Sequence, residues 1–157
     1  MKKTLLAVAL AATTVLALPG TALAQSQQFR LISAGPANAP GTIIATGPFS
    51  GVGRVITIND TTDRVVFPGK GTFILTHQSQ GGSVTFDPTT CTATFSETGT
   101  WTISGGTGMF AGATGSGTYT LNNGKFIGTR IGGGRCSEAG GRLSVVVQLT
   151  GDLNLLR

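Results

Sequence analysis

The chain has 157 residues, 25 of them Gly, a formal net charge of +5 and only 11% charged residues. This length suits one domain. Glycine at more than twice ordinary usage, without a three-residue period, excludes collagen, and the low charge with ample apolar content excludes a disordered chain.

In chain order, residues 1–24 read first as a cleavable signal peptide. Lys2 and Lys3 give a positive start. An apolar run extends from Leu5 to Leu18, interrupted only by Thr13 and Thr14. Pro19-Gly20 breaks the helix, and Ala22-Leu23-Ala24 offers small residues for cleavage after Ala24. The run is shorter than the roughly 20 apolar residues of a membrane span, so no stable membrane anchor is expected. Residues 25–157 then form the single exported domain, secreted or periplasmic. Lys2 and Lys3 leave with the leader, so the net charge of +5 becomes +3. The remaining bases are scattered, which argues against a nucleic-acid partner. In an oxidising compartment Cys91 and Cys136, the only cysteines, are expected to pair. Two cysteines and one histidine are too few for a zinc site, and no metal or cofactor is expected.

Short alternating apolar runs follow, punctuated by Gly, Pro, Asn and Asp. Phe29–Ser33, Thr42–Thr46, Val52–Ile58 and Arg64–Phe67 read as strands. In Gly71–Gln78, Phe73, Leu75 and His77 share one face. Ser83–Phe86 ends at Asp87-Pro88. Thr90–Glu97 puts Cys91, Ala93 and Phe95 on one side, and Thr100–Ser104 carries Trp101 and Ile103. Gly117–Leu121 and Lys125–Ile131 flank Asn123-Gly124, a pair that signals a hairpin because both residues tolerate positive φ. Arg142–Thr150 is the longest clean strand, and Gly151-Asp152 marks a turn or bulge before Leu153–Leu156. Eight to ten strands and no helix are expected. Regular strand spacing with turn signals argues a barrel or a sandwich, and one apolar face per strand with so few charges suggests closure, because open edges invite aggregation. An outer-membrane barrel would carry aromatic girdles, yet Trp101 and Tyr119 are the only Trp and Tyr.

The most distinctive segment is Gly105 to Gly117. Gly106-x-Gly108-x-x-Ala111 fits a dinucleotide fingerprint, which needs a helix to follow. Gly112, Gly115 and Gly117 would break that helix, so nucleotide binding is rejected. The same segment, with Tyr119 after it, resembles the G-G-T-G-x-F-x-G-A-x-G run of the allene oxide cyclase and dirigent superfamily. Gly69-x-Gly71-x-Phe73, Thr76-His77 and the spacing of Cys91 to Trp101 resemble its bacterial secreted members. The resemblance covers about residues 40–157. It implies an antiparallel eight-stranded barrel with a central cavity, often dimeric or trimeric. It also implies two activities known in that group: isomerisation of a fatty-acid epoxide and steering of phenoxy-radical coupling. The functional residues of those activities do not map onto this chain by motif.

Chemistry must therefore be tested on the residues themselves. His77 is the sole His, and no G-x-S-x-G elbow supports a Ser-His-acid triad. Asp60, Asp63, Asp87 and Asp152 fall at predicted turns, where Asp is favoured for backbone reasons. Glu97 and Glu138 are the remaining acids. Glu97 lies at a strand end near the glycine stretch, so Glu97 and His77 are the candidate catalytic groups, with Arg130 and Arg135 as candidates to close a cavity mouth. The leading reading is a non-enzymatic binder of a small apolar molecule, held in the lumen by Phe73, Leu75, His77, Phe95 and Ile103. The alternatives are a cyclase or isomerase assisted by Glu97 or His77, and a structural, self-associating extracellular protein.

Overall fold

A computed structural model describes residues 25–156. The expected signal segment lies outside the described residues. Eight strands follow one another: β1 (Gln25–Pro36), β2 (Gly41–Thr46), β3 (Gly51–Asn59), β4 (Thr62–Phe67), β5 (Gly71–Asp87), β6 (Thr92–Ser104), β7 (Thr114–Arg130) and β8 (Cys136–Asn154). Each pairs antiparallel with the next, and β8 returns to β1, so one sheet closes in a ring. The only helical pieces among the described residues are two single 3-10 turns.

Four pairs of expected strands prove to be single long ones. Gly71–Gln78 and Ser83–Phe86 join in β5 across a bulge at Ser79–Gly81. Thr90–Glu97 and Thr100–Ser104 join in β6. The expected Asn123-Gly124 hairpin is instead a bulge inside β7, with Asn123 at φ 55°. The local signal for positive φ was real, but the chain beyond Gly124 keeps its neighbours: Lys125 still pairs with Thr94 of β6 and Ser144 of β8. Two waiting partners outweigh one local turn, and the extra residues are absorbed as a bulge. Gly151-Asp152 likewise continues β8 without turning.

The interior is filled by aromatic rings. Phe29, Phe67, Phe73, Trp101 and Phe110 are all essentially inaccessible and pack on one another at centroid distances of 5.1–6.0 Å. Rings of this size fit because glycines face them from the next strand. Trp101 lies opposite Gly117, Tyr119 opposite Gly99 and Phe95 opposite Gly124. A Cβ on Gly99 would lie 2.6 Å from the Tyr119 ring, and one on Gly151 would lie 2.7 Å from Trp101. The indole N–H of Trp101 donates to the carbonyls of Thr118 and Thr150, at 3.0 and 3.3 Å. This resolves the glycine content. Inward glycines make room for aromatics, in addition to those that punctuate turns.

The glycine-rich loop between β6 and β7 plugs one end of the ring. It inserts Phe110 against Phe49, Phe67 and Phe73. Thr107 N–H donates to Thr72 O, and Met109 N–H to Lys70 O, each at 2.8 Å. Gly71 and Gly108 sit where these backbones touch, both at positive φ, so only glycine fits. Beside the plug, the buried amide of Gln27 clamps the β2–β3 loop, donating to Thr46 O and Phe49 O and accepting from Phe49 N–H.

Candidate functional site at the mouth of the ring

The opposite end is built differently because the strands differ in length. β4 pairs with β5 only as far as Thr62–Thr76, and β1 accompanies β8 only as far as Pro36–Arg142. Beyond those points β5–β8 continue as a four-stranded flap, about 30 Å long on the β5 side at ~3.3 Å per residue. The cysteines staple its tip: Cys91 and Cys136 form the expected disulfide, with Cα atoms 5.4 Å apart. Asp87 caps the adjoining turn through Thr89 N–H and the Thr90 hydroxyl, and these bonds hold its carboxyl below the usual range.

Antiparallel partners share a face, so the register identifies the inner surface of the flap. Gly82, Glu97, Leu121 and Val147 form one row across it, and Phe86, Ala93, Phe126 and Leu143 another; Val84 and Phe95 lie between. Val84 and Phe86 are 74% and 54% exposed. An apolar wall thus continues upward from the mouth, and among the described residues no strand pairs beyond it on the β1–β4 side.

At the foot of this wall, four polar side chains from four adjacent strands converge. His77 Nε2 lies 3.7 Å from Asp63 Oδ2. The Tyr119 hydroxyl donates to Glu97 Oε1, and the His77 and Tyr119 rings meet edge to face at 5.9 Å. Burial pushes the Asp63 carboxyl up, against the opposing effects of a hydrogen bond from Thr57 and the charge of His77. Tyr119 is pushed up to about 12, first by burial and then by its bond to, and the charge of, Glu97. The His77 side chain is 29% exposed, so the cluster meets solvent at the mouth. An open groove of about 340 Å³ lies at the same end, lined by Ala37, Asn38, Ala39, Pro40, Ile56 and Thr57. The Asp63 carboxyl lies within ion-pair reach of the imidazole, and the Tyr119 phenol remains protonated at neutral pH. Among the described residues, no three His, Cys, Asp or Glu side chains converge to hold a metal ion.

No family model, curated protein or solved structure matches this chain.

The residues read from the sequence divide between two places. Phe73, Leu75 and Ile103 are 1–3% exposed and lie in the packed core. His77 and Phe95 sit at the mouth, with Glu97 between them on the inner face. Arg130 and Arg135 do not reach the cluster. Arg130 donates to the carbonyls of Pro88, Thr89 and Gly134, and Arg135 to that of Gly132, so both fasten loops at the flap tip. Asp63, expected at a turn, instead lies inside β4 and is buried. Its signal was its alternation with the inward Val65 and Phe67. Tyr119 had an equivalent signal in its alternation with Leu121. The glycine-rich loop uses five of its N–H groups on carbonyls of the chain itself, so those five are not free to cradle a phosphate.

Proposed function

We propose that this chain is an exported β-barrel protein that binds a small apolar molecule, seated at the mouth rather than in the lumen. The observation that carries this reading is the exposed inner face of the flap. Val84 and Phe86 present apolar surface directly above a polar cluster, and small-molecule sites combine such a wall with a few placed polar groups. His77 and Phe95 belong to this site, with Glu97 and Tyr119 at its base. Export is supported by the disulfide, which suits an oxidising compartment. Membership of the allene oxide cyclase and dirigent group is supported by the eight antiparallel strands closing in a ring and by the glycine-rich loop between β6 and β7. Outward positions are mostly Thr, Ser, Gln and Arg, the reverse of a lipid-facing barrel.

Native mass spectrometry of the purified protein and uptake of an apolar fluorescent probe test the reading. A retained compound or probe binding is expected, weakened by Phe86→Ser and Phe95→Ser. Absence of both would refute it. The paired His77–Asp63 and Tyr119–Glu97 favour one second reading, an isomerase or cyclase acting on an unsaturated epoxide. It requires turnover of such a substrate that falls sharply in His77→Gln or Glu97→Gln.

A further inference from the structure

β5 is paired on both sides only at its start. Past Thr76 its neighbour β4 has ended, and the bond from His77 N–H to Thr61 O is the last on that side. From Gln78 to Asp87 the strand pairs only with β6, and its other edge has no partner among the described residues. Such edges are ordinarily blunted by Lys, Pro or a bulge. Gln78-Ser79-Gln80-Gly81-Gly82-Ser83-Val84-Thr85-Phe86 holds neither charge nor proline, and the bulge at Ser79–Gly81 precedes a regular stretch, Gly81–Asp87.

We propose that this edge is a self-recognition strand. Two copies of the chain pair β5 with β5, antiparallel, with Val84 opposite Val84, so that their flaps join into one eight-stranded sheet. Val84 is the centre of Gly81–Asp87, and a two-fold axis through it places each Phe86 opposite the other copy's Gly82. That is the pairing the chain already uses between its own strands, where Trp101 faces Gly117, Tyr119 faces Gly99 and Phe95 faces Gly124. The two copies' exposed apolar rows become continuous on one face. On the other face each Ser83 lies opposite a Thr85, and hydroxyl pairs of this kind are already present in Ser83 and Ser96, 3.0 Å apart. The one charge in the segment, Asp87, falls opposite Gly81. The two Asp87 side chains are then about 20 Å apart, beyond the screening length at physiological salt. A register displaced by one residue would set the apolar row against the hydroxyl row. This inference concerns the strand edge and does not depend on what the mouth binds.

The experiment is analytical ultracentrifugation of the purified protein, disulfide intact, across the micromolar range. A concentration-dependent dimer is expected. Ser83→Lys with Thr85→Lys sets lysine against lysine across the axis on an exposed face, and dimerisation should weaken about tenfold or more. Circular dichroism unchanged from wild type would show the fold intact. Mixing that variant with Ser83→Glu/Thr85→Glu should restore a heterodimer, and Val84→Cys should form a cross-linked dimer on oxidation. A wild-type protein monomeric throughout the range, or a dimer insensitive to the lysine pair, overturns the proposal. So does a dimer that Phe86→Cys cross-links and Val84→Cys does not, which would mean a different register.

Discussion

Phe110→Ala tests whether the ring is a packed core closed by its glycine-rich loop. Phe110 is fully buried, with the rings of Phe49, Phe73 and Phe67 at 5.0, 5.1 and 5.6 Å. Phe→Ala in a core costs about 3–5 kcal/mol, and more where the surroundings cannot collapse. Here they are held apart. The loop is tied to β5 by Thr107 N–H to Thr72 O and to the turn before it by Met109 N–H to Lys70 O, and Gly71 and Gly108 already touch the backbone opposite. The expected loss is therefore about 4 kcal/mol, a large part of a typical 5–15 kcal/mol. For a domain of about 130 residues, that lowers Tm by roughly 12–16 °C. Urea denaturation and thermal melts monitored by Trp101 fluorescence would measure both. Met109→Ala, next door and 42% exposed, should change stability by less than about 0.5 kcal/mol. If the two variants behave alike, the loop is a surface turn, and the argument for a packed lumen fails.

Three further outcomes are expected. Replacing Cys91 and Cys136 with Ala should cost up to about 4 kcal/mol on the chain-entropy view, since they close a loop with a sequence separation of 45; a wild-type melt in strong reductant should fall to the variant's level. Tyr119 should titrate by ultraviolet absorbance near 12 rather than 10, and Glu97→Gln should lower that midpoint. Because its folded pKa is raised, the stability it contributes is complete below pH 10 and is lost as pH rises toward 12, which an alkaline unfolding series would detect. Asp63 also has a raised folded pKa, so the wild type loses stability as pH climbs from the ordinary carboxylate value of 3.8 through the folded pKa. Asp63→Asn should remove this dependence. Its stability relative to wild type should rise between about pH 4 and neutrality, and a difference constant with pH would contradict the assignment of burial as the main cause.

Much of this architecture was written in local patterns. Period-two alternation placed Phe73, Leu75 and His77 on one face of a strand and Leu143, Val145, Val147 and Leu149 on one face of another, because side chains alternate across a pleated strand. The two cysteines implied their own bond once export was inferred. The glycine-rich segment declared a tight backbone and not a nucleotide loop. What local pattern could not decide was where a strand ends. Asn123-Gly124 carries every local mark of a hairpin, yet β6 and β8 stand ready on both sides of Lys125, and ladder hydrogen bonds to two neighbours outweigh a turn preference. That outcome makes the strands long, and long strands make the flap. Only the tertiary structure, for the same reason, showed Asp63 beside His77 and Tyr119 on Glu97. These residues come from four strands and meet through register, a relation between chain segments that residue order alone does not contain. The sequence by itself determined which apolar residues share a strand face. The closing of the sheet decided that three of the expected lumen residues pack as core, while His77 and Phe95 stand at an open mouth, because rings as large as Trp101 and Phe110 leave the interior filled.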